Sequence, residues 1–157
     1  MAYTFELNPV SDERYEQLLA NERHQDGVGL SSHSSSIVSL LPRCTSPARI
    51  GINVLQIGSL GLGPNATWHQ LHVALYALQL HRVPQNLILP LRFAYNDQPE
   101  DEFIEIAHDP VLFKGQMRRF VLYNNGQKIL YEQVYGGDDS TCLATSRIAC
   151  VRWLEYL

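Results

Sequence analysis

At 157 residues, 45% of them apolar and 18% charged, the chain has the size and composition of one globular domain, which excludes a disordered or membrane-spanning protein. A net charge of −4 with only two lysines among the bases argues against general nucleic-acid binding. The longest apolar-rich stretch, Val73 to Leu80, is too short to cross a bilayer, and MAYTFELNPVSDERY lacks the basic start and apolar core of a secretory leader, so a cytoplasmic location is expected.

AYTFEL, residues 2–7, reads as a short strand. SDERYEQLLANERH reads as an amphipathic helix: Ser11 is its N-cap, Asp12 and Glu13 favour its positive end, and Tyr15, Leu18 and Leu19 form its apolar stripe. The Gly- and Ser-rich QDGVGLSSHSSS predicts a mobile loop over 25–36. IVSLL and ARIGINVLQI read as strands, the second with Ile50, Ile52 and Val54 on one face. After the glycine-rich GSLGLGPN, with Asn65 as cap, Trp68, Leu71, Leu75 and Leu78 recur at helical spacing. NLILPLRFAY reads as a strand with Leu87, Leu89, Leu91 and Phe93 on one face, Pro90 marking an edge or a bulge. Arg49 to Tyr95 is therefore long enough for a parallel strand–helix–strand crossover.

NDQPEDE is an acidic turn and FIEIA a short strand. FVLYNNGQKILYEQVY predicts an antiparallel hairpin about Asn125-Gly126, with Leu122 opposite Ile129 and Phe120 opposite Tyr131. GGDDS breaks the chain, Asp139 or Ser140 is a candidate cap, and Leu143, Arg147, Cys150, Val151 and Leu154 are spaced for a closing helix. The expectation is a single α+β domain over 1–157. It has a mixed sheet of about five to seven strands, three helices, and a C-terminal antiparallel hairpin plus helix.

The three cysteines, Cys44, Cys142 and Cys150, are odd in number and lack metal-ligand spacing, which points to a reducing compartment and no metal. Were 142–150 helical, Cys142 and Cys150 would lie ~12 Å apart, too far to bridge. Charge falls into blocks. Gly27 to Asn96 holds no carboxylate, four arginines and four of the six histidines, whereas Asp97 to Asp109 holds six carboxylates and no Lys or Arg.

Gly61-Leu62-Gly63-Pro64-Asn65-Ala66 fits the spacing of a dinucleotide-binding turn. No acidic ribose ligand follows before Asp97, Pro64 removes a donor, and no Lys-Ser/Thr completes a phosphate loop, so no cofactor is expected. His69, His72, Tyr76 and Gln79 share a helical stripe without the carboxylate or cysteine a metal site needs. His108-Asp109 lacks a nucleophile, and the acidic cluster matches no calcium loop. Tyr123, Tyr131 and Tyr135 could form a stacking platform beside Arg118 and Arg119, but alternation puts Tyr123 and Phe120 on opposite faces.

These features point away from catalysis and toward a non-catalytic inhibitor or adaptor that meets a protein partner through a charge-polarised surface, with Glu100, Asp101, Glu102 and Glu105 as the contact. The alternative is a small enzyme or sensor that holds a phosphorylated or otherwise anionic small molecule at the Gly58–Asn65 turn, using Gly61, Gly63, Asn65, His69, His72 and Arg92.

Overall fold

The computed structural model describes residues 1–31 and 33–157. Eight strands form one mixed sheet in the order β1-β3-β8-β4-β6-β7-β2, with β5 beside β6. They are β1 (Ala2–Leu7), β2 (Val28–Leu30), β3 (Ala48–Gln56), β4 (Phe103–Ile106), β5 (Val111–Phe113), β6 (Gln116–Asn124), β7 (Lys128–Val134) and β8 (Arg147–Tyr156). β4 runs parallel to β8 and β2 parallel to β7; the other neighbours are antiparallel. The helices are α1 (Asp12–Leu19), α2 (Ser34–Val38), α3 (Trp68–Ala77) and α4 (Ile88–Ala94).

Alternation along the strands builds two cores, because successive side chains point to opposite faces. Ile104, Ile106, Phe120, Leu122, Leu130, Ala149 and Val151 belong to the larger core with Leu18, Ile37, Ile88 and Leu91 of α1, α2 and α4. Ala107, Ile148 and Cys150 belong to a smaller one, covered by Trp68, Leu71 and Leu75 of α3. The sheet is thus packed on both sides, but α3 covers only part of its own face, chiefly over β8 and the residues after β3 and β4.

Several sequence expectations hold locally. Ser11 caps α1 by accepting from the Arg14 N–H, and Ile50, Ile52 and Val54 are buried as the alternation of β3 predicts. Others are corrected. The residues read as a C-terminal helix form β8, which lies between β3 and β4. Ile148 and Cys150 are buried on one face, Ala149 and Val151 on the other, and a run buried on both faces loses the period that separates strand from helix. Cys142 and Cys150 therefore do not share a helix.

Residues 85–94 are not a strand either: a 3-10 turn over Gln85–Leu87 leads into α4. Pro90 falls in the first turn of α4, where the N–H it lacks would have had no helical partner, so it does not break the helix. No parallel crossover is formed from 49 to 95. IVSLL contributes Ile37 and Val38 to α2, and the expected loop 25–36 contains β2 and the start of α2. Ser32, within that loop, lies outside the described residues.

The hairpin exists with its register shifted by one. Asn124 pairs with Lys128 around a three-residue loop, so Leu122 faces Leu130 and Phe120 faces Glu132. Gly126 takes φ +98°. The side chains of Asn124 and Asn125 accept from the N–H groups of Gly126 and Gln127, a local bonding pattern that suits the longer turn. A one-residue slip exchanges faces. Tyr131 therefore sits opposite Val121 on the α3 side instead of joining Phe120 in the larger core.

No helix among the described residues is long and apolar enough to cross a membrane.

Candidate functional site

On the α3 side, β4, β6 and β7 carry Phe103 and Glu105, then Arg119, Val121 and Tyr123, then Tyr131 and Gln133. Phe103 packs edge-on against Tyr123 at 5.6 Å between ring centroids and tilts toward Tyr131 at 6.3 Å. Phe103 and Tyr131 remain 36% and 39% exposed, so this half of the sheet presents an aromatic surface that no helix among the described residues covers.

Where that surface meets α3, a cleft of about 540 Å³ opens among Trp68, Glu105, Arg118, Arg119, Glu132 and the 140–143 segment. Arg119 is its organising group. Its guanidinium lies 3.4 Å from the centre of the Trp68 ring, 5.3 Å from that of Tyr135, and donates to Glu105 Oε1 at 3.1 Å. Burial pushes the Glu105 carboxyl up despite the adjacent guanidinium, and lowers Arg119 despite the carboxylate. Both shifts record the cost of removing the two charges from water. Arg118 donates to Glu132 at 2.8 Å on the other face of the β6–β7 pair.

Glu105 Oε2, Arg119 Nε and Arg118 Nε are buried without a hydrogen-bond partner. Such groups are rare in folded proteins because each forfeits its hydration. Two of them, Glu105 Oε2 and Arg119 Nε, belong to one ion pair on the α3 side, where both groups are shifted by burial, a combination that marks a candidate functional site. Cys142 is nearby, but its Sγ–H donates to the Ala66 carbonyl at 3.3 Å and burial raises its pKa. Those features are the reverse of an activated nucleophile.

The glycine turn is built otherwise than an anion cradle. The N–H groups of Trp68 and His69 donate to the carbonyls of Ser140 and Asp138. Those of Thr67 and Gln70 are taken by a reciprocal capping box between the two side chains. The four donors that could hold a phosphate are thus committed, and Thr67 rather than Asn65 is the cap. Gly61, Gly63 and Asn65 are exposed, and a Cβ at either glycine would meet nothing within 4 Å. Arg92 is fully buried and donates to Gln98 Oε1 and to the carbonyls of Tyr95 and Ile129, which makes it a clamp between α4 and β7.

His69 and His72 do come together, with His81 and Arg82, around a separate cleft of about 440 Å³ on the far side of α3. Burial and the Arg82 charge lower His72 to about 4, so its ring is neutral at pH 7. Among the described residues no three His, Cys, Asp or Glu side chains are placed to hold a metal.

The acidic run is divided by the fold. Glu105 is bound to Arg119; Glu102 accepts from Arg147 at 2.9 Å and from the Tyr95 hydroxyl at 2.7 Å; Asp109 pairs with Arg82. Glu100 and Asp101 stay exposed beside the hairpin end, where Asp101 N–H donates to the Asn124 carbonyl. Arg43 and Arg49, from the carboxylate-free block, pair with Asp12 and Glu6. The charge blocks of the sequence therefore interlock, and within the 97–109 run only Asp97, Glu100 and Asp101 form no ion pair among the described residues.

Comparison of the chain with family models, with curated proteins and with solved structures found no match.

Proposed function

We propose that this chain is a non-catalytic binding protein, an inhibitor or adaptor that receives another macromolecule on the open half of its sheet. The observation that carries the reading is the aromatic surface of Phe103, Tyr123 and Tyr131 running into a cleft where the paired Glu105 and Arg119 each keep a buried polar atom without a partner. Aromatic side chains beside desolvated polar groups are the usual centre of a protein interface, and a charged rim adds orientation and association rate. Glu100 and Asp101 supply that rim at the hairpin end.

The test is affinity capture with three forms of the chain: wild type, Tyr131→Arg on the open face, and Tyr76→Arg on the exposed side of α3. A partner held by wild type and Tyr76→Arg but lost by Tyr131→Arg supports the reading. Equal capture by all three removes it. Neutralising Glu100 and Asp101 together is expected to slow association and flatten its dependence on salt.

A second reading, a small anionic ligand, is favoured by one observation, the convergence of His69, His72, His81 and Arg82 on a single cleft. It predicts saturable calorimetric heats with a nucleotide or acyl-CoA that vanish in His72→Ala; absence of heat in the wild type overturns it.

A further inference from the structure

We infer that an extended segment of the partner adds as a strand to the edge of β7 over Tyr131 to Val134. The inference rests on the partner reading above and specifies how that partner is held. β2 runs beside β7 only where Val28–Leu30 pair with Lys128–Leu130, so among the described residues the rest of β7 has a neighbouring strand on the β6 side alone. The bonds just before this stretch set the direction of its main-chain groups. Lys128 N–H donates to the Gly27 carbonyl at 3.0 Å, and the Leu130 carbonyl accepts from Ser31 N–H at 3.2 Å, so the even-numbered residues of β7 face the β2 side. Alternation turns Glu132 and Val134 the same way.

The carbonyl next in line for the Glu132 N–H is that of Ser31. It accepts instead from the Ser34 N–H at 2.9 Å, as the chain leaves the sheet for α2. Glu132 and Val134 therefore direct their N–H and carbonyl groups off the edge, where none has a partner among the described residues. Natural edges are usually blunted by proline, lysine or a bulge. Tyr131-Glu132-Gln133-Val134 contains none of these, and its register with β6 is unbroken. Its one charge, Glu132, is folded back onto Arg118 at 2.8 Å, and Val134 is 55% exposed.

Donors and acceptors alternating at strand spacing are matched by another extended backbone, and β2 already occupies the first part of the same edge in that way. Four residues at ~3.3 Å each give a contact ~13 Å long. On the α3 side the added strand lies next to Tyr131 and Gln133, which also line the cleft with Trp68 and Arg119. An aromatic or β-branched residue is the favoured cross-strand neighbour of Tyr131. The edge and the aromatic surface thus form one continuous site, in which the main chain of the partner supplies affinity and its alternate side chains supply selectivity.

The probe is a displayed library of random peptides selected on the full chain; the recovered peptides are synthesised and titrated. Val134→Pro removes one outward N–H and keeps the bond from Tyr135 N–H to the Met117 carbonyl, because proline is tolerated where its nitrogen faces away from the sheet. Recovered peptides are expected to carry an aromatic or β-branched residue, to bind Val134→Ala normally, and to bind Val134→Pro about ten-fold more weakly or worse. N-methylation along the peptide is expected to weaken binding at every second residue. In hydrogen exchange, the Glu132 and Val134 amides should exchange freely in the chain alone and become protected by the peptide. The inference is overturned if no peptide is recovered, if Val134→Pro binds as wild type does, if methylation shows no two-residue period, or if the two amides are protected in the chain alone. Protection that grows with protein concentration would assign the edge to a second copy and overturn it as well. Should Val134→Pro fail to fold, methylation and exchange decide. A partner lost by Tyr131→Arg but held by Val134→Pro leaves the partner reading standing and removes the edge; equal capture by wild type and Tyr131→Arg removes the partner reading itself.

Discussion

His108 couples this fold to pH. Its ring is 1% exposed and sits just beyond β4, where it takes over the bonding of the strand: Nε2 accepts from the Phe120 N–H at 2.8 Å and Nδ1 donates to the Asp109 carbonyl at 2.7 Å. Both nitrogens are used, one as acceptor, so only the neutral ring fits. Burial lowers its pKa from 6.5 to about 4. In the unfolded chain the ring protonates through the ordinary range; in the folded chain it does not until about 4. The unfolded state binds the extra proton across that window, so stability falls as pH drops from about 6.5 to 4 and the loss is complete below 4. At ~1.4 kcal/mol per pH unit the interval is worth ~3 kcal/mol, a large share of the 5–15 kcal/mol typical of a domain. Urea unfolding of wild type and His108→Gln at several pH values between 7.5 and 4 measures it. The variant is expected to be less stable at pH 7.5, because the Phe120 N–H loses a good acceptor, yet to lose less stability on acidification. Half-exposed His72 is present in both forms and cancels in the comparison. Parallel curves, or a His108 resonance titrating near 6.5, would refute the argument.

Three further outcomes follow from the packing. Glu105→Gln leaves the Arg119 guanidinium buried without its counter-charge and is expected to lower stability by about 3–5 kcal/mol, read as a drop in the urea midpoint; a change below 1 kcal/mol would mean that the pair is hydrated. A Cβ at Gly51 would collide with the Trp153 indole lying across it, so Gly51→Val should cost about 1–3 kcal/mol and red-shift tryptophan emission as the ring swings outward. At the glycine turn, Gly63→Ala should be neutral and Gly61→Ala should cost about 1 kcal/mol because of its φ of +74°; nucleotide or acyl-CoA heats that disappear in Gly63→Ala would restore the turn as an anion site.

The sequence is legible wherever one face of an element is buried and the other wet. α1 announces itself by its Ser11 cap and apolar stripe, β3 by Ile50, Ile52 and Val54. β8 and α4 escape because each has an uninterrupted run buried on every side, Ile148 to Val151 in one and Ile88 to Arg92 in the other. Their periods vanish, and Pro90 then weighs toward a strand edge when it is a first-turn proline. Of the candidate residues, His69 and His72 meet as their spacing implies, while Glu105 and Arg92 spend their charge inside the fold. The cleft itself depends on pairs distant in the chain, Trp68 with Arg119 and Arg119 with Glu105. One local signal was available: two successive asparagines able to bond ahead of them favour a three-residue turn, and that register would have placed Tyr131 beside Phe103.

β8 comes after every other strand in the chain, yet it alone joins β1-β3 to β4-β6-β7-β2. A ribosome therefore releases two half-sheets first, each with a raw edge, Ala48 to Gln56 on one and Ile104 to Ile106 on the other, which stay unpaired until residues 147–156 arrive. Unpaired edges of this kind invite pairing with neighbouring chains. During synthesis, then, the nascent chain stays open to aggregation and to chaperone capture until β8 emerges.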